Sequence, residues 1–472
     1  MGWSSSVLEL IGNTPMVELH SFDTGPCKLL VKLESLNPGG SIKDRIGRSM
    51  IDAAEKQGLI SPGRSVLVEA TAGNTGLGLA QNAALKGYRL ILVIPDKMSQ
   101  EKVKHLRALG AEVVMTRSDV GLGHPAYYQD LAKRIAAETP GGFYVDQFNN
   151  QANPLAHELT TGPEIWSQTE GAVTAVVCGV GSSGTITGLS RFFAKTGPHV
   201  EMVLADPVGS VLVDYIKSGK IGTAGSWLVE GIGEDFIPAI ADFSKVKHGY
   251  SVSDEEAMNT TRQLLTREGI LAGPSSGVLV ASAVRYCQEQ KSPGVVVTFI
   301  CDTGNKYLSK VFDDRWMRDN GFLAGGFLAG GFPAGEKFGD LRDLIVNPAS
   351  TGALISVAPS DSLASAFSRM RQGDVSQLPV IADGEIVGII DESDVLLATQ
   401  GNPDAFLTEA QSVMSSELVF VERTQNLEHV LSVLDQGLVA LVKDELGFHG
   451  LITRSDVIAH LRNGYVKRQR GA

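Results

Sequence analysis

Cysteine is scarce. The chain has four, Cys27, Cys178, Cys287 and Cys301, and no two of them form a CxxC pair. Thiols scattered in this way argue against a disulfide framework and a zinc site, and fit buried groups in a reducing cytoplasm. Long hydrophobic runs are missing, so no segment is expected to span a membrane. The N-terminus lacks the basic-then-apolar design of a secretory signal. Positive charge is in deficit: 41 Lys and Arg face 53 Asp and Glu, a formal net charge of −12. That balance speaks against a nucleic-acid-binding surface over the whole molecule, but leaves room for a local anion pocket. The basic end, Lys467-Arg468-Gln469-Arg470, reads as a solvated tail. A cytoplasmic protein without metal, membrane or nucleic-acid partner is the expectation.

What is present is a rhythm. A length of 472 residues suggests two or three domains. From Lys28 to about Cys301, apolar β-branched runs alternate with amphipathic stretches. The runs begin with Lys28–Leu33, Ser65–Glu69, Arg89–Ile94 and Ala111–Met115, and continue with Val173–Val177, Met202–Ala205 and Val295–Ile300. Most lack alternation, so both faces of each strand should be covered. Helical patterns such as Gln100 to Leu109, stopped by Gly110, lie between them. This is the pattern of βαβ units, an α/β fold with open, mostly parallel sheets. Ligands in such sheets bind beyond the C-terminal ends of strands, where glycine-rich loops open helices.

Several loops fit that place. Asn37-Pro38-Gly39-Gly40-Ser41-Ile42-Lys43-Asp44-Arg45 releases the backbone at two glycines and puts Lys43 where a helix would start. The positive end of a helix favours a neutral amine, the form a Schiff-base nucleophile needs. Thr71-Ala72-Gly73-Asn74-Thr75-Gly76 precedes a helical pattern from Leu77. Cys178–Gly188 holds Gly181, Ser182, Ser183, Gly184 and Thr185. Converging N–H groups and hydroxyls before a helix make an anion cradle, here a phosphate site. No Lys-Ser or Lys-Thr pair closes it, so it is not a Walker loop, and its spacing departs from the dinucleotide fingerprint. Leu271–Gly277 opens a helix from Val278, and its serines, Ser275 among them, read locally as N-caps. In Val229–Pro238, Gly231 and Gly233 allow a close approach of backbone to ligand.

After Trp316 the composition changes. Gly-Phe-Leu-Ala-Gly occurs at 321–325 and 326–330, and Gly-Phe-Pro-Ala-Gly at 331–335, so 321–336 reads as a linker between a 1–320 domain and a 337–472 domain. The second domain carries a weak duplication, over about 340–400 and 410–465, each copy patterned helix, strand, turn, strand, helix. One copy is small for an independent core, so the two should pack together. Asp394 and Asp456, at the last helix of each copy, read locally as N-terminal caps.

These motifs together resemble a known family. Ile11-Gly12-Asn13-Thr14-Pro15, Gly40–Arg45, Thr71–Gly76 and Gly181–Thr185 occur in order. They are similar to fold-type II pyridoxal-phosphate enzymes of the cysteine synthase and cystathionine β-synthase group, over residues 1 to about 320. The C-terminal part resembles an α+β pair of CBS domains, a Bateman module. The resemblance implies pyridoxal 5′-phosphate as cofactor, joined by Lys43, which also takes the substrate α-proton. It implies that Asn74 hydrogen-bonds the ring 3′-oxygen and that Gly181, Ser182, Ser183, Gly184 and Thr185 hold the phosphate. Ser275 would meet the pyridine nitrogen, which a serine, unlike an aspartate, cannot hold protonated. Thr71, Ala72, Gly73, Asn74 and Thr75 would grip the substrate carboxylate, with Gln147 as a second contact and Gly231 and Gly233 in the substrate loop. Two positions depart from the family pattern: Ala72 stands where Ser is usual, and Phe148 where a tyrosine is frequent.

Within the group, Glu230–Pro238, the Asp314-Arg315-Trp316-Met317 ending and the Bateman module resemble the cystathionine-forming members. The implied reaction joins L-serine and L-homocysteine, with hydrogen sulfide formed from cysteine on the side. Rival readings are a cysteine synthase using O-acetylserine and sulfide, a serine dehydratase, and an adenosyl-nucleotide sensor. In the last, Thr453 with Asp456, and less completely Asp394, would bind ribose; alternatively the module only holds protomers together. Animal members carry a haem segment before Ile-Gly-Asn-Thr-Pro. Here that motif starts at position 11, so no haem is expected. The resemblance implies a homodimer or homotetramer.

Overall fold

The computed structural model describes residues 3–323 and 340–469, except 72, 97, 118, 119, 122, 346–348, 350–353, 374 and 446. Ala72 and most of the 321–336 linker therefore lie outside the described residues. The chain divides into two compact units, Met1–Trp316 and Met317–Ala472.

Among its described residues the first unit contains ten strands: β1 (Met16–Glu18), β2 (Lys28–Leu33), β3 (Val66–Ala70), β4 (Arg89–Pro95), β5 (Glu112–Thr116), β6 (Gly142–Tyr144), β7 (Val173–Gly179), β8 (Glu201–Pro207), β9 (Val246–Val252) and β10 (Val295–Ile300). Its helices are α1 (Lys43–Lys56), α2 (Asn74–Lys86), α3 (Gln100–Ala108), α4 (Tyr128–Glu138), α5 (Ala152–Ala156), α6 (Gly162–Gln168), α7 (Gly184–Thr196), α8 (Leu212–Ser218), α9 (Asp254–Glu268), α10 (Pro274–Glu289) and α11 (Asp314–Asp319). One sheet runs β1-β2-β10-β7-β8-β9, parallel throughout except for β1. The other, β5-β4-β3-β6, is wholly parallel. Six of the seven apolar runs became interior strands, where helices cover both faces; the other, Ala111–Met115, is the edge strand β5, with Glu112 and Met115 exposed. All five residues of β3 are buried. Strands β1, β6 and β9 carry no such run; β6 is three half-buried residues.

A buried ionic cluster joins β2, α1 and α6. Arg45 of α1 grips both oxygens of Glu34 at 2.8 Å, and reaches Glu164 of α6 at 2.7 and 2.8 Å. Lys32, from β2, pairs with Glu164 at 2.8 Å. Burial pushes the Glu164 carboxyl up, but Arg45 and then Lys32 outweigh it and hold it at about 2. A carboxyl depressed in the folded state adds stability above its ordinary value of 4.5, and that stability is lost as pH falls toward about 2. Melting temperature followed from pH 5 to 2 should show this acid loss, and Glu164→Gln should flatten it. An unchanged acid slope in Glu164→Gln would contradict the assignment.

The second unit holds two small cores. The first gathers α12 (Leu363–Gly373), β11 (Gln377–Ala382), β12 (Glu385–Asp391) and α13 (Glu392–Thr399) around Leu363, Leu378 and Ile390. The other gathers β13 (Val419–Val421), α14 (Leu427–Asp435), β14 (Ala440–Asp444), β15 (Gly447–Ile452) and α15 (Arg454–Gln469) around Val430, Val442 and Ile452. Each follows the expected order of helix, strand, turn, strand, helix. The second adds the parallel strand β13, which in the first is reduced to one bridge, Val357 to Val380. Leu341, Leu344 and Ile345, upstream of the first copy, pack into the core of the second.

Candidate active site

Lys43 is the first residue of α1, as its spacing suggested. Its position comes from the loop before it. Gly40 takes φ +74°, and a Cβ there would meet Thr303 Cγ2 at 2.9 Å. The Gly39 N–H donates to Asp44, Ile42 N–H donates to the Cys301 carbonyl at 2.8 Å, and Thr303 N–H donates to the Gly40 carbonyl at 3.1 Å. The Lys43 loop is thus stitched to the C-terminal end of β10. Burial lowers the Lys43 amine from its ordinary value, against the raising effect of Cys301 and Glu234. That favours the free amine a nucleophile or base requires.

The cradle after β7 faces the same region. Gly184 opens α7, a 13-residue helix, and Ser183 before it takes a left-handed conformation at φ 67°. A Cβ on Gly184 would lie 1.8 Å from Asn153 Oδ1, so only glycine fits. The amide of Asn153 donates to Ser182 Oγ at 2.9 Å. His157 links Thr161 at 2.9 Å to Thr185 at 3.2 Å. Burial, then Arg45 and Lys43, keeps the His157 ring neutral, with its pKa well below the ordinary value. The Ser183 hydroxyl is buried with no partner among the described groups. A helix N-terminus and an orphaned hydroxyl at one spot need an acceptor-rich anion.

Ser275 lies inside the first turn of α10, which begins at Pro274 rather than near Val278. Proline at the first helical position carries the helix earlier than the apolar pattern alone implied. Ser275 is therefore not the N-cap; Gly273 is. Its neighbour Ser276 accepts from the Cys301 N–H at 3.0 Å, placing Ser275 beside the end of β10. Likewise α2 begins at Asn74, three residues before Leu77.

The Thr71–Gly76 loop is held together internally. Thr71 Oγ1 accepts from Gly73 N–H at 2.9 Å and Gly76 N–H at 3.3 Å. Thr75 Oγ1 donates to Gln147 Oε1 at 2.7 Å, and Gln147 Nε2 donates to the Ala70 carbonyl at 2.9 Å. Gly233 N–H donates to the Val180 carbonyl at 2.8 Å, which brings the Val229–Pro238 loop onto the glycine-rich loop after β7. A Cβ on Gly181 would lie 2.7 Å from the Gly231 carbonyl. Phe148 packs on Phe236 with ring centroids 5.5 Å apart, giving this loop an apolar wall where a phenol would have stood.

Residues 7–302 match the family described as pyridoxal-phosphate dependent enzyme, and 342–401 and 410–463 match the CBS domain. The chain belongs to the pyridoxal-phosphate dependent enzymes. Among curated relatives, cystathionine beta-synthase of Saccharomyces cerevisiae is 36% identical over 414 residues, 83% of this chain and 80% of the relative. Cysteine synthase 3 of Caenorhabditis elegans is 40% identical over 303 residues, 64% of this chain and 87% of the relative. A solved structure of a hydrogen sulfide-producing enzyme from Fusobacterium nucleatum superposes with a TM-score of 0.60 at 37% identity, covering 65% of this chain and all of that one.

As in its family, the cofactor is pyridoxal phosphate, and the residues present fit it. The orphaned Ser183 hydroxyl and the free N–H groups of the first turn of α7 suit its phosphate, and the buried Lys43 amine suits its aldehyde. Gly184→Ala should cost about 1–3 kcal/mol of packing at this cradle. Titrating cofactor into apoprotein should show the weakened affinity; binding as tight as in the parent would contradict the cradle.

Some residues here had no sequence signal. Glu34 and His157 are isolated polar residues in unremarkable stretches, and His157 sits on a π-helical turn, His157–Thr161. Asp302, Lys306 and Tyr307 had a usable one, since they follow the last apolar run, where ligands gather. In the second unit, Asp391 and Asp394 form a reciprocal capping box. Thr453 and Asp456 do the same, with Asp456 Oδ2 accepting from Thr453 N–H at 2.8 Å and Oγ1 at 2.7 Å. Among the described residues no helix is long and apolar enough to cross a membrane.

Proposed function

We propose that the chain joins L-serine and L-homocysteine into cystathionine and water, a β-replacement. What carries the choice over a cysteine synthase is the extent of the match: the cystathionine beta-synthase relative aligns across both units, the cysteine synthase over the catalytic share alone. Bound at this site, pyridoxal phosphate supplies an electron sink that stabilises negative charge at the substrate α-carbon. Lys43 takes the α-proton, the serine hydroxyl leaves as water, and the homocysteine sulfur forms the new bond at the β-carbon. Thr71, Gly73, Asn74, Thr75 and Gln147 orient the substrate carboxylate, and Ala72 contributes no hydroxyl to that task. Ser275 would meet the pyridine nitrogen, and a serine there, unlike an aspartate, would not hold that nitrogen protonated, which favours loss of a β-leaving group over transamination. Gly231 and Gly233, with Phe148 and Phe236, border the space for the entering thiol. Cysteine in place of serine releases hydrogen sulfide.

The reading extends to the second unit and the assembly. Thr453 and Asp456, with Asp394 in the first copy, recognise an adenosyl ligand there, and the cytoplasmic enzyme is a homodimer or homotetramer. Calorimetry with S-adenosylmethionine and with ATP tests the ligand, heat from neither counting against it. For the reaction, purified enzyme with serine and homocysteine should yield cystathionine in excess of pyruvate. Pyruvate alone would make the enzyme a dehydratase.

A further inference from the structure

Asn74 ends in two chemically different groups, a carbonyl oxygen that accepts and an amide nitrogen with two hydrogens to donate. Each is engaged by a buried partner of one kind only. The Asp302 carboxylate oxygen Oδ2 accepts from Asn74 Nδ2 at 2.7 Å, and Lys306 Nζ donates to Asn74 Oδ1 at 3.0 Å. Asp302 is 0% exposed and Lys306 5%. Reversing the amide would set oxygen against carboxylate and nitrogen against ammonium, so only one orientation is stable. We infer that Asp302 and Lys306 are positioning residues that fix which way the Asn74 amide faces, its oxygen held on Lys306 and its N–H end toward Asp302, so that the cofactor meets a donor and not an acceptor. The inference rests on the reading of Asn74 as a cofactor contact.

The lock is braced on both sides. An ammonium has three hydrogens to donate. Those of Lys306 reach Asn74 Oδ1, the Gly39 carbonyl at 3.0 Å and the Gly40 carbonyl at 3.1 Å. One buried cation thus joins Asn74 to the loop that presents Lys43. Burial lowers Lys306 to about 8 against Asp302 and Asp44, which leaves it mostly charged at neutral pH. On the other side, Tyr307 Oη donates to the same Asp302 oxygen at 2.6 Å, and Lys102 of α3 donates to Tyr307 Oη at 2.9 Å. Lys102 and Lys310 both pair with Glu230, at 2.7 and 2.6 Å. The chain Glu230–Lys102–Tyr307–Asp302 therefore runs from the Val229–Pro238 loop to the amide of Asn74, and fixes the Asp302 carboxylate that the lock depends on.

The test titrates pyridoxal phosphate into apoprotein and records both the dissociation constant and the absorbance of the bound cofactor. Lys306→Met and Asp302→Asn should each weaken cofactor binding about tenfold and shift its absorbance, the factor a lost hydrogen bond of about 1.4 kcal/mol carries. Asn74→Ala should do the same. The combination Lys306→Met with Asn74→Ala should bind cofactor no worse than Asn74→Ala alone, because the lock reaches the cofactor through Asn74. Circular dichroism confirms folding, and Asp302→Asn, nearly isosteric, serves should Lys306→Met not fold. A further tenfold loss in the double variant would mean that Lys306 acts only through the Gly39–Gly40 loop, and overturns the inference. So does unchanged cofactor binding in Lys306→Met and Asp302→Asn beside a weakened Asn74→Ala. Unchanged binding and absorbance in Asn74→Ala would overturn the reading of Asn74 itself, and the lock with it.

Discussion

Lys43→Ala should lower the rate of cystathionine formation by about 10²–10⁴-fold, the range a positioned general base contributes. The residue opens α1 at the positive end of the helix, and its loop is tied to the end of β10 at Ile42 and Thr303. Burial is the largest influence on its amine and favours the neutral form. Lys43→Arg should not rescue the rate, because a guanidinium stays charged and cannot accept the proton. The loss should appear in turnover while the melting temperature of the apoprotein stays near that of the parent. Full turnover in Lys43→Ala would remove the residue from the chemistry.

Arg45→Met should destabilise the catalytic unit by about 3–5 kcal/mol, because it leaves buried charges without their partner. Glu34 is 0% exposed and would keep only Thr14 and Asn37 as donors. Burial pushes the Glu34 carboxyl up, and Arg45, with Thr14 and Lys32, more than reverses it, so losing Arg45 leaves a buried acid without its main partner. Glu164 suffers less, since Lys32 still reaches it. Adding Glu34→Gln to Arg45→Met should restore part of the loss. Denaturant midpoints check both variants, and an Arg45→Met protein within about 0.5 kcal/mol of the parent, the range of ordinary surface changes, would contradict the account.

Most of the strands legible in the sequence lie in the interior of a sheet, β5 at an edge being the exception. Runs at Lys28–Leu33 and Val295–Ile300 coincide with β2 and β10, because an interior strand packed on both faces is mostly apolar, β10 nearly throughout and β2 at Leu29 and Val31. Strand β9 mixes Lys247, His248 and Tyr250 with valines at the edge of its sheet, where half-exposed residues leave no run to see. The glycine-rich loops were legible because backbone geometry demands their composition. The buried ionic cluster was not, since Glu34, Arg45 and Glu164 meet only through tertiary folding. Helix starts were read late at Asn74 and Pro274, where polar first turns hide the helix behind an apolar pattern that begins afterward. Those hidden turns hold the residues assigned to the cofactor.

A single competition experiment reaches the central claim most directly. The enzyme receives serine, homocysteine, O-acetylserine and sulfide together, with pyridoxal phosphate, and mass spectrometry quantifies the products. Cystathionine built from serine should predominate. Cysteine as the dominant product would contradict the account, and would make this a cysteine synthase that carries a CBS-domain pair.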